Sequence, residues 1–345
     1  MLKRKAADAI RNWVNSKEKK CLVVQGARQT GKTYIIERFA EENYEEFVEI
    51  NFKQMPSAMD IFSGDLTVDN MVMAMRFRFP EKKIIPGKTM IFLDEIQECQ
   101  EAITSLKFWA LDNRYDVIVS GSLLGIDYKR ASSYPVGYVD YLRMYGIDFE
   151  EFLWGMGISD DMIKKLRDYF ESRSVIPEAI NSQMMSYYRQ YIAIGGMPEA
   201  VQKYIDTKDF REVDRIQRNL LQGYQYDISH YATAEEKVKA EKCYLSLAKQ
   251  LLDKENHKFQ YLYKKGYQLY FYKNETSKKE IDVIIQQDGK VVPIEVKGGN
   301  TRANSLKSLM RKNKDICLGY KFVDGNIGVN EDGIITLPLY MIVFI

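Results

Sequence analysis

The chain has 345 residues, 46% of them hydrophobic and 28% charged, with a formal net charge of only +2. That composition marks a globular chain with packed cores and room for two or three domains, and it excludes a whole-chain basic field as a source of nucleic-acid affinity. Four cysteines (21, 99, 243 and 317) form no CxxC pair, and His230 and His257 are the only histidines, which argues against a zinc site or a disulfide framework.

The first stretch, MLKRKAADAIRNWV, reads as an amphipathic helix rather than a signal peptide. No run approaches the length of a membrane span, so a reducing cytoplasm is expected and no membrane partner is. CLVVQ (21–25) is a short apolar strand, followed by GARQTGKT (26–33) and the helical TYIIERFAEE. This is GxxxxGK[ST] between a strand and a helix, the pattern of a phosphate-binding loop. Gly26 and Gly31 let the backbone curl so that the N–H groups of the loop, through Ala27, Arg28, Gln29 and Thr30, point at phosphate. Lys32 supplies charge to the β- and γ-phosphates, and Thr33 offers a hydroxyl to Mg²⁺. Arg28 is open to two readings, a phosphate contact or a surface arginine. ATP and Mg²⁺ are therefore the expected ligands.

FVEINF (47–52) is the next strand, and TMIFLDEIQE (89–98) is an apolar strand ending in Asp94 and Glu95. A continuous apolar run suits a buried parallel strand, whose carboxyl end is where ligands bind in an open α/β sheet. Asp94 is expected to hold magnesium through water and Glu95 to orient and polarise the attacking water. YDVIVSGS (115–122) ends in Ser120 and Ser122, either of them a candidate sensor of the γ-phosphate, or simply a polar turn closing the strand. The order of strands and helices predicts an α/β fold with a doubly wound parallel sheet.

GARQTGKT, IFLDEIQE, SGSLLG, SSYPVGYVDYLRMYGIDFEEFL (132–153) and YIAIGGMPEAV (191–201) together resemble the AAA+-type P-loop ATPases of bacteria and archaea that carry a C-terminal domain of unknown function. The chain departs from that pattern at Met197, where an aromatic is usual, and at Gly146, where proline is usual. The resemblance implies an ATPase domain over 1–150, a helical, partly winged-helix-like region over 151–256, and a nuclease-like domain of PD-(D/E)xK type over 257–345. Relatives carry further helices and strands after a segment like LLDKENHKFQY (251–261), so the chain is expected to be shortened near Tyr261. A trans-acting arginine would imply an oligomer, with Arg114, Arg130 and Arg143 as candidates.

In the middle region, SQMMSYYRQYI places Met184, Met185, Tyr188, Tyr191 and Ile192 on one helical stripe, expected to be core. Gly195-Gly196 ends that helix and Pro198 starts the next. Further helices are expected over 206–229 and 234–255, with His230 structural.

KKEIDVIIQQDGKVVPIEVKGG (278–299) alternates apolar and polar residues about Asp288-Gly289, a two-residue hairpin turn. With that turn, paired residues sum to 577, which sets Asp282 opposite Glu295 and Glu280 opposite Lys297. By the nuclease resemblance, Asp282 and Glu295 would bind metal and Lys297 would serve catalysis, with Glu280 a further candidate. A cross-strand ion pair on a solvated face is the competing reading. The basic helix TRANSLKSLMRKNK (301–314) could follow phosphates or simply face solvent. The expected function is ATP binding and hydrolysis coupled to a C-terminal module that binds DNA or a protein partner. The alternatives are an ATPase-coupled DNA nuclease and an ATP-switched interaction protein without catalysis in its C-terminal part.

Overall fold

In a computed structural model of the chain, the residues described are 2–122, 135–231, 237–240, 242–244, 246, 262, 265–273, 280–298, 303–328 and 332–345. They form two compact units, residues 3–147 and residues 148–345 with Leu2. The expected shortening near Tyr261, most of the helix at 234–255, Arg130 and the side chains of Ser122 and His230 lie outside the described residues.

The first unit is built on five parallel strands: β1 (Cys21–Gly26), β2 (Glu46–Asn51), β3 (Thr89–Asp94), β4 (Asp116–Ser122) and β5 (Val139–Arg143). Their order is β2-β3-β4-β1-β5, the doubly wound arrangement expected of a P-loop fold. Strands β1 and β3 are buried at every position, because helices cover both faces. One face packs α1 (Lys5–Val14) and α2 (Lys32–Asn43) through Ile10, Ile35, Ile36 and Phe39. The other packs α3 (Val68–Arg78) and α4 (Gln100–Asp112) through Met71, Met75, Leu106 and Trp109. Parallel register carries Asn51, Asp94 and Gly26 to the same carboxyl edge of the sheet.

The second unit opens with helices α5 (Phe149–Gly155), α6 (Asp160–Ser172), α7 (Glu178–Ile194), α8 (Pro198–Thr207) and α9 (Phe210–Tyr231). Asp148 starts α5 with a capping box, its carboxylate accepting from Glu151 N while Glu151 reaches back to Asp148 N. The α7 stripe is core at Met184, Met185 and Tyr188, but Ile192 is 54% exposed and Ile194 takes the last buried position. Tyr191 stays with the stripe by packing on Phe149 and Phe152.

This unit continues into a mixed sheet of β6 (Tyr270–Lys273), β7 (Glu280–Gln287), β8 (Lys290–Lys297), β9 (Gly319–Val323) and β10 (Ile334–Pro338), ordered β10-β9-β8-β7-β6. Helix α10 (Asn304–Lys312) makes the crossover between parallel β8 and β9. Helices α6 and α7 are tied to this sheet by Asn326, which exchanges two hydrogen bonds with Ile176, by the Arg189–Asp324 ion pair, and by Tyr340 donating to Asn181. Among the described residues, no helix is long and apolar enough to cross a membrane.

Candidate functional site

The loop between β1 and α2 is shaped by backbone constraints. A Cβ on Gly26 would fall 2.3 Å from the carbonyl oxygen of Met144, so only glycine lets the two segments approach. Gly31, which precedes α2, is left-handed at φ 84°, a conformation glycine adopts without a side-chain clash. Thr30 Oγ1 donates to Ala27 O at 2.9 Å, and Lys32 Nζ donates to Gly26 O and Ala27 O at 3.1 and 2.9 Å. The lysine thus closes over the loop at the N-terminus of α2, where helix N–H groups and the dipole favour an anion. Burial, helped by nearby Arg28, lowers the Lys32 pKa, while Glu95 and Asp94 oppose that shift.

Asp94, at the end of β3, is 4% exposed and is the hub of the site. Its Oδ2 accepts from Thr33 Oγ1 at 3.1 Å and from Asn51 Nδ2 at 3.0 Å. Its Oδ1 accepts from the backbone N of Glu95 at 3.0 Å and from Ser120 Oγ. A carboxylate has about four acceptor positions, and each here has a donor. Glu95 follows in a left-handed conformation, φ 52°, which is costly for a side chain of this kind and is typical of residues whose direction matters more than their comfort. Its carboxylate is met by Gln97 Nε2 and by Lys53 Nζ at 3.5 Å.

Residues 18–153 match the AAA domain family. That match spans most of the first unit, which is therefore similar to an AAA domain. Residues 185–265 match a domain of unknown function, DUF8612, and residues 254–342 match a second, DUF4143. No curated protein sequence matches the chain. Among solved structures, the Walker-type ATPase PABY2304 of Pyrococcus abyssi matches with 13% identity and a TM-score of 0.36, covering 100% of this chain and 96% of that one. The Drosophila ORC bound to DNA matches with 13% identity and a TM-score of 0.31, covering 72% of this chain and 62% of that one.

Within the first unit, Lys32, Thr33, Asp94, Glu95 and Ser120 converge at one edge of the sheet. Two further residues join them. Asn51 ends β2 in register with Asp94, and its Oδ1 also accepts from Lys53 N and Gln54 N, both at 3.1 Å. A polar residue closing an apolar strand at the ligand edge was its only signal. Arg4, 8% exposed, donates to Thr30 O at 3.2 Å and to Tyr145 O at 2.8 Å, bracing the loop from behind. Nothing in its local sequence marks it. The hard oxygens of Thr33 and Asp94 fit Mg²⁺, which takes one or two protein oxygens and completes its shell with water and phosphate.

The second expected constellation lies in the DUF4143 segment. The hairpin turns at Asp288 and Gly289, both at positive φ, and five pairs from Gln287↔Lys290 to Val283↔Ile294 follow the expected register. Beyond Val283 the geometry changes. Tyr270 pairs with Ile284 but Tyr272 with Ile281, so β7 carries one extra residue there. That bulge breaks the simple alternation: Ile281 and Ile284, three apart, both pack with α10 around Leu306, Leu309 and Met310. Asp282 Oδ2 accepts from Val296 N at 2.6 Å. Glu280 is exposed, and among the described residues it forms no ion pair with Lys297. Lys297 Nζ instead meets Glu295 Oε1 at 2.7 Å on its own strand. Glu295 is 2% exposed, and its Oε2 accepts from Leu306 N in the first turn of α10. This face is thus covered by a helix rather than solvated. Among the described residues, no three His, Cys, Asp or Glu side chains are grouped to hold a metal.

Proposed function

We propose that the protein binds ATP with Mg²⁺ on residues 26–33 and hydrolyses it, with Glu95 as the residue that activates water. The observation that carries this reading is the convergence of Thr33, Asn51, Ser120 and Glu95 N on the buried Asp94 carboxylate, directly below the loop. In this reading, backbone N–H groups of Ala27 to Thr33 cradle the β- and γ-phosphates, and Lys32 turns from its own loop carbonyls toward them. Thr33, and Asp94 through water, would hold a magnesium ion, which would screen phosphate charge. Ser120, at the adjacent strand end, meets the γ-phosphate side. Glu95 lies past Asp94 with its carboxylate 28% exposed, within reach of a water in line with the terminal phosphate. A fluorescent ATP analogue titrated against the wild type and Lys32→Ala tests the binding step. Loss of binding in the variant is expected; unchanged affinity would overturn the assignment.

The ATPase is coupled, in this proposal, to a C-terminal module that binds a partner. Support comes from the closed Glu295–Lys297 pair and the Leu306 N–H that Glu295 accepts, which occupy the acid as a structural group. A second reading, a metal-dependent nuclease, is supported by the bulge that brings Asp282 against β8 one residue from Glu295. Plasmid DNA incubated with Mg²⁺ or Mn²⁺ separates them. Cleavage that disappears in Asp282→Ala favours the nuclease, whereas no cleavage, or equal cleavage by that variant, rejects it.

A further inference from the structure

Helix α3 packs one apolar stripe and exposes two large apolar side chains on its other side. Its inner stripe, Val68, Met71, Val72 and Met75, is fully packed in the core of the first unit. On its outer side Met73 and Phe77, four residues apart, are exposed beside Arg76, and exposed Pro80 follows just beyond the helix end. Phe77 is 83% and Met73 60% exposed. A surface helix normally gives water a polar face, so two large apolar side chains exposed one turn apart mark a surface that meets something.

The charges around that stripe say what it meets. From 70 to 83 the chain carries Arg76, Arg78, Lys82 and Lys83 against one acid, Glu81. Arg76 bonds to the Ile84 carbonyl and Arg78 to the Ser57 hydroxyl, and among the described residues neither is paired with a carboxylate. Of the acids around it, Asp69 is engaged by Arg114, Glu45 by Lys88 and Glu46 by Lys82, which leaves Arg76, Arg78 and Lys83 as cations against the exposed Glu81. The result is a cationic patch with a protruding aromatic ring, Phe77, flanked in the chain by two exposed arginines. A single nucleic-acid strand alternates flat bases with phosphates in the same way, and base–aromatic stacking beside basic side chains is how such strands are held. A duplex keeps its base faces stacked and would leave Phe77 unused.

We propose that the outward face of α3, with Phe77 stacking on a base and Arg76, Arg78 and Lys83 on phosphates, binds single-stranded nucleic acid. The site is separate from the nucleotide loop. Chain leaving β2 at the ligand edge returns along α3 to begin β3 at the opposite edge, which carries Phe77 away from Gly26–Thr33. The proposal therefore stands independently of ATP hydrolysis.

Fluorescence anisotropy of the full chain with a labelled oligothymidylate of roughly 20 nucleotides tests it. The wild type is expected to bind, with affinity falling steeply as salt rises. Phe77→Ala, and the pair Arg76→Ala with Arg78→Ala, should each weaken binding about tenfold, while Phe77→Tyr should retain it. Phe77→Ala should leave the melting temperature and ATP-analogue binding unchanged, since the ring is exposed and remote from the loop. No binding at low salt, or wild-type affinity in both sets of variants, would overturn the proposal. Equal displacement of the oligonucleotide by polyglutamate or by phosphatidylserine vesicles would also overturn it, because the surface would then be reading charge alone.

Discussion

Asn51 joins two tasks in one amide. Its nitrogen orients Asp94, and its oxygen holds the turn after β2 through Lys53 N and Gln54 N. Asn51→Leu should leave those donors unpaired and remove one donor from a buried carboxylate, at a cost of about 1–3 kcal/mol. A lower melting temperature together with slower ATP turnover is expected; a wild-type melt with wild-type turnover would deny Asn51 both roles. Arg4 acts at the same scale from outside the motif. Arg4→Ala removes a planar donor that bridges Thr30 O and Tyr145 O, and Arg4→Lys cannot span both carbonyls as the guanidinium does. Both variants should weaken binding of an ATP analogue, about tenfold for a lost charged hydrogen-bond donor. The P-loop residues and the acidic pair were legible in the sequence because their chemistry sits in short, contiguous motifs. Ser120 was a candidate from its strand end, but Asn51 and Arg4 were not marked, because their roles depend on which strands become neighbours and on a contact spanning 141 positions.

At the scale of elements, α2 and β2 bring Glu37 and Glu49 together beside Asp94. Burial, then repulsion from Glu37 and Asp94, pushes the Glu49 carboxyl from 4.5 up to about 7. A carboxyl whose pKa is raised in the folded state favours folding while it is protonated. The contribution is therefore present below pH 4.5 and lost as pH rises through about 7. Glu49→Gln should flatten the fall in melting temperature over that window and melt higher than the wild type at pH above 7. An unchanged pH profile would remove Glu49 as its source. The hairpin of β7 and β8 shows what an element-level reading reaches. The Asp288-Gly289 turn set the register correctly for the five pairs nearest to it. The bulge against β6 and the roof provided by α10 altered the far end, and both depend on elements outside the hairpin. Gly289 lies at φ 74°, so Gly289→Val should destabilise the hairpin by at least about 1 kcal/mol.

For the whole molecule, chain order alone was enough to anticipate the parallel sheet of the first unit. Strands alternating with helices leave few topologies once crossovers are right-handed. The second unit was harder to read, since its helices and its mixed sheet are joined by side chains such as Asn326 and Tyr340 that carry no motif. Nucleotide binding should stabilise the folded chain by about 2.7 kcal/mol at a hundredfold excess over Kd, read as a rise in melting temperature. The most direct measurement is steady-state ATP hydrolysis by wild-type protein and Glu95→Gln with Mg²⁺ present, alongside binding of an ATP analogue. The account predicts turnover in the wild type, and in Glu95→Gln retained binding with turnover reduced by about 10²-fold or more, the range for removing a catalytic base. Equal turnover in the two proteins, or none in the wild type, would contradict it.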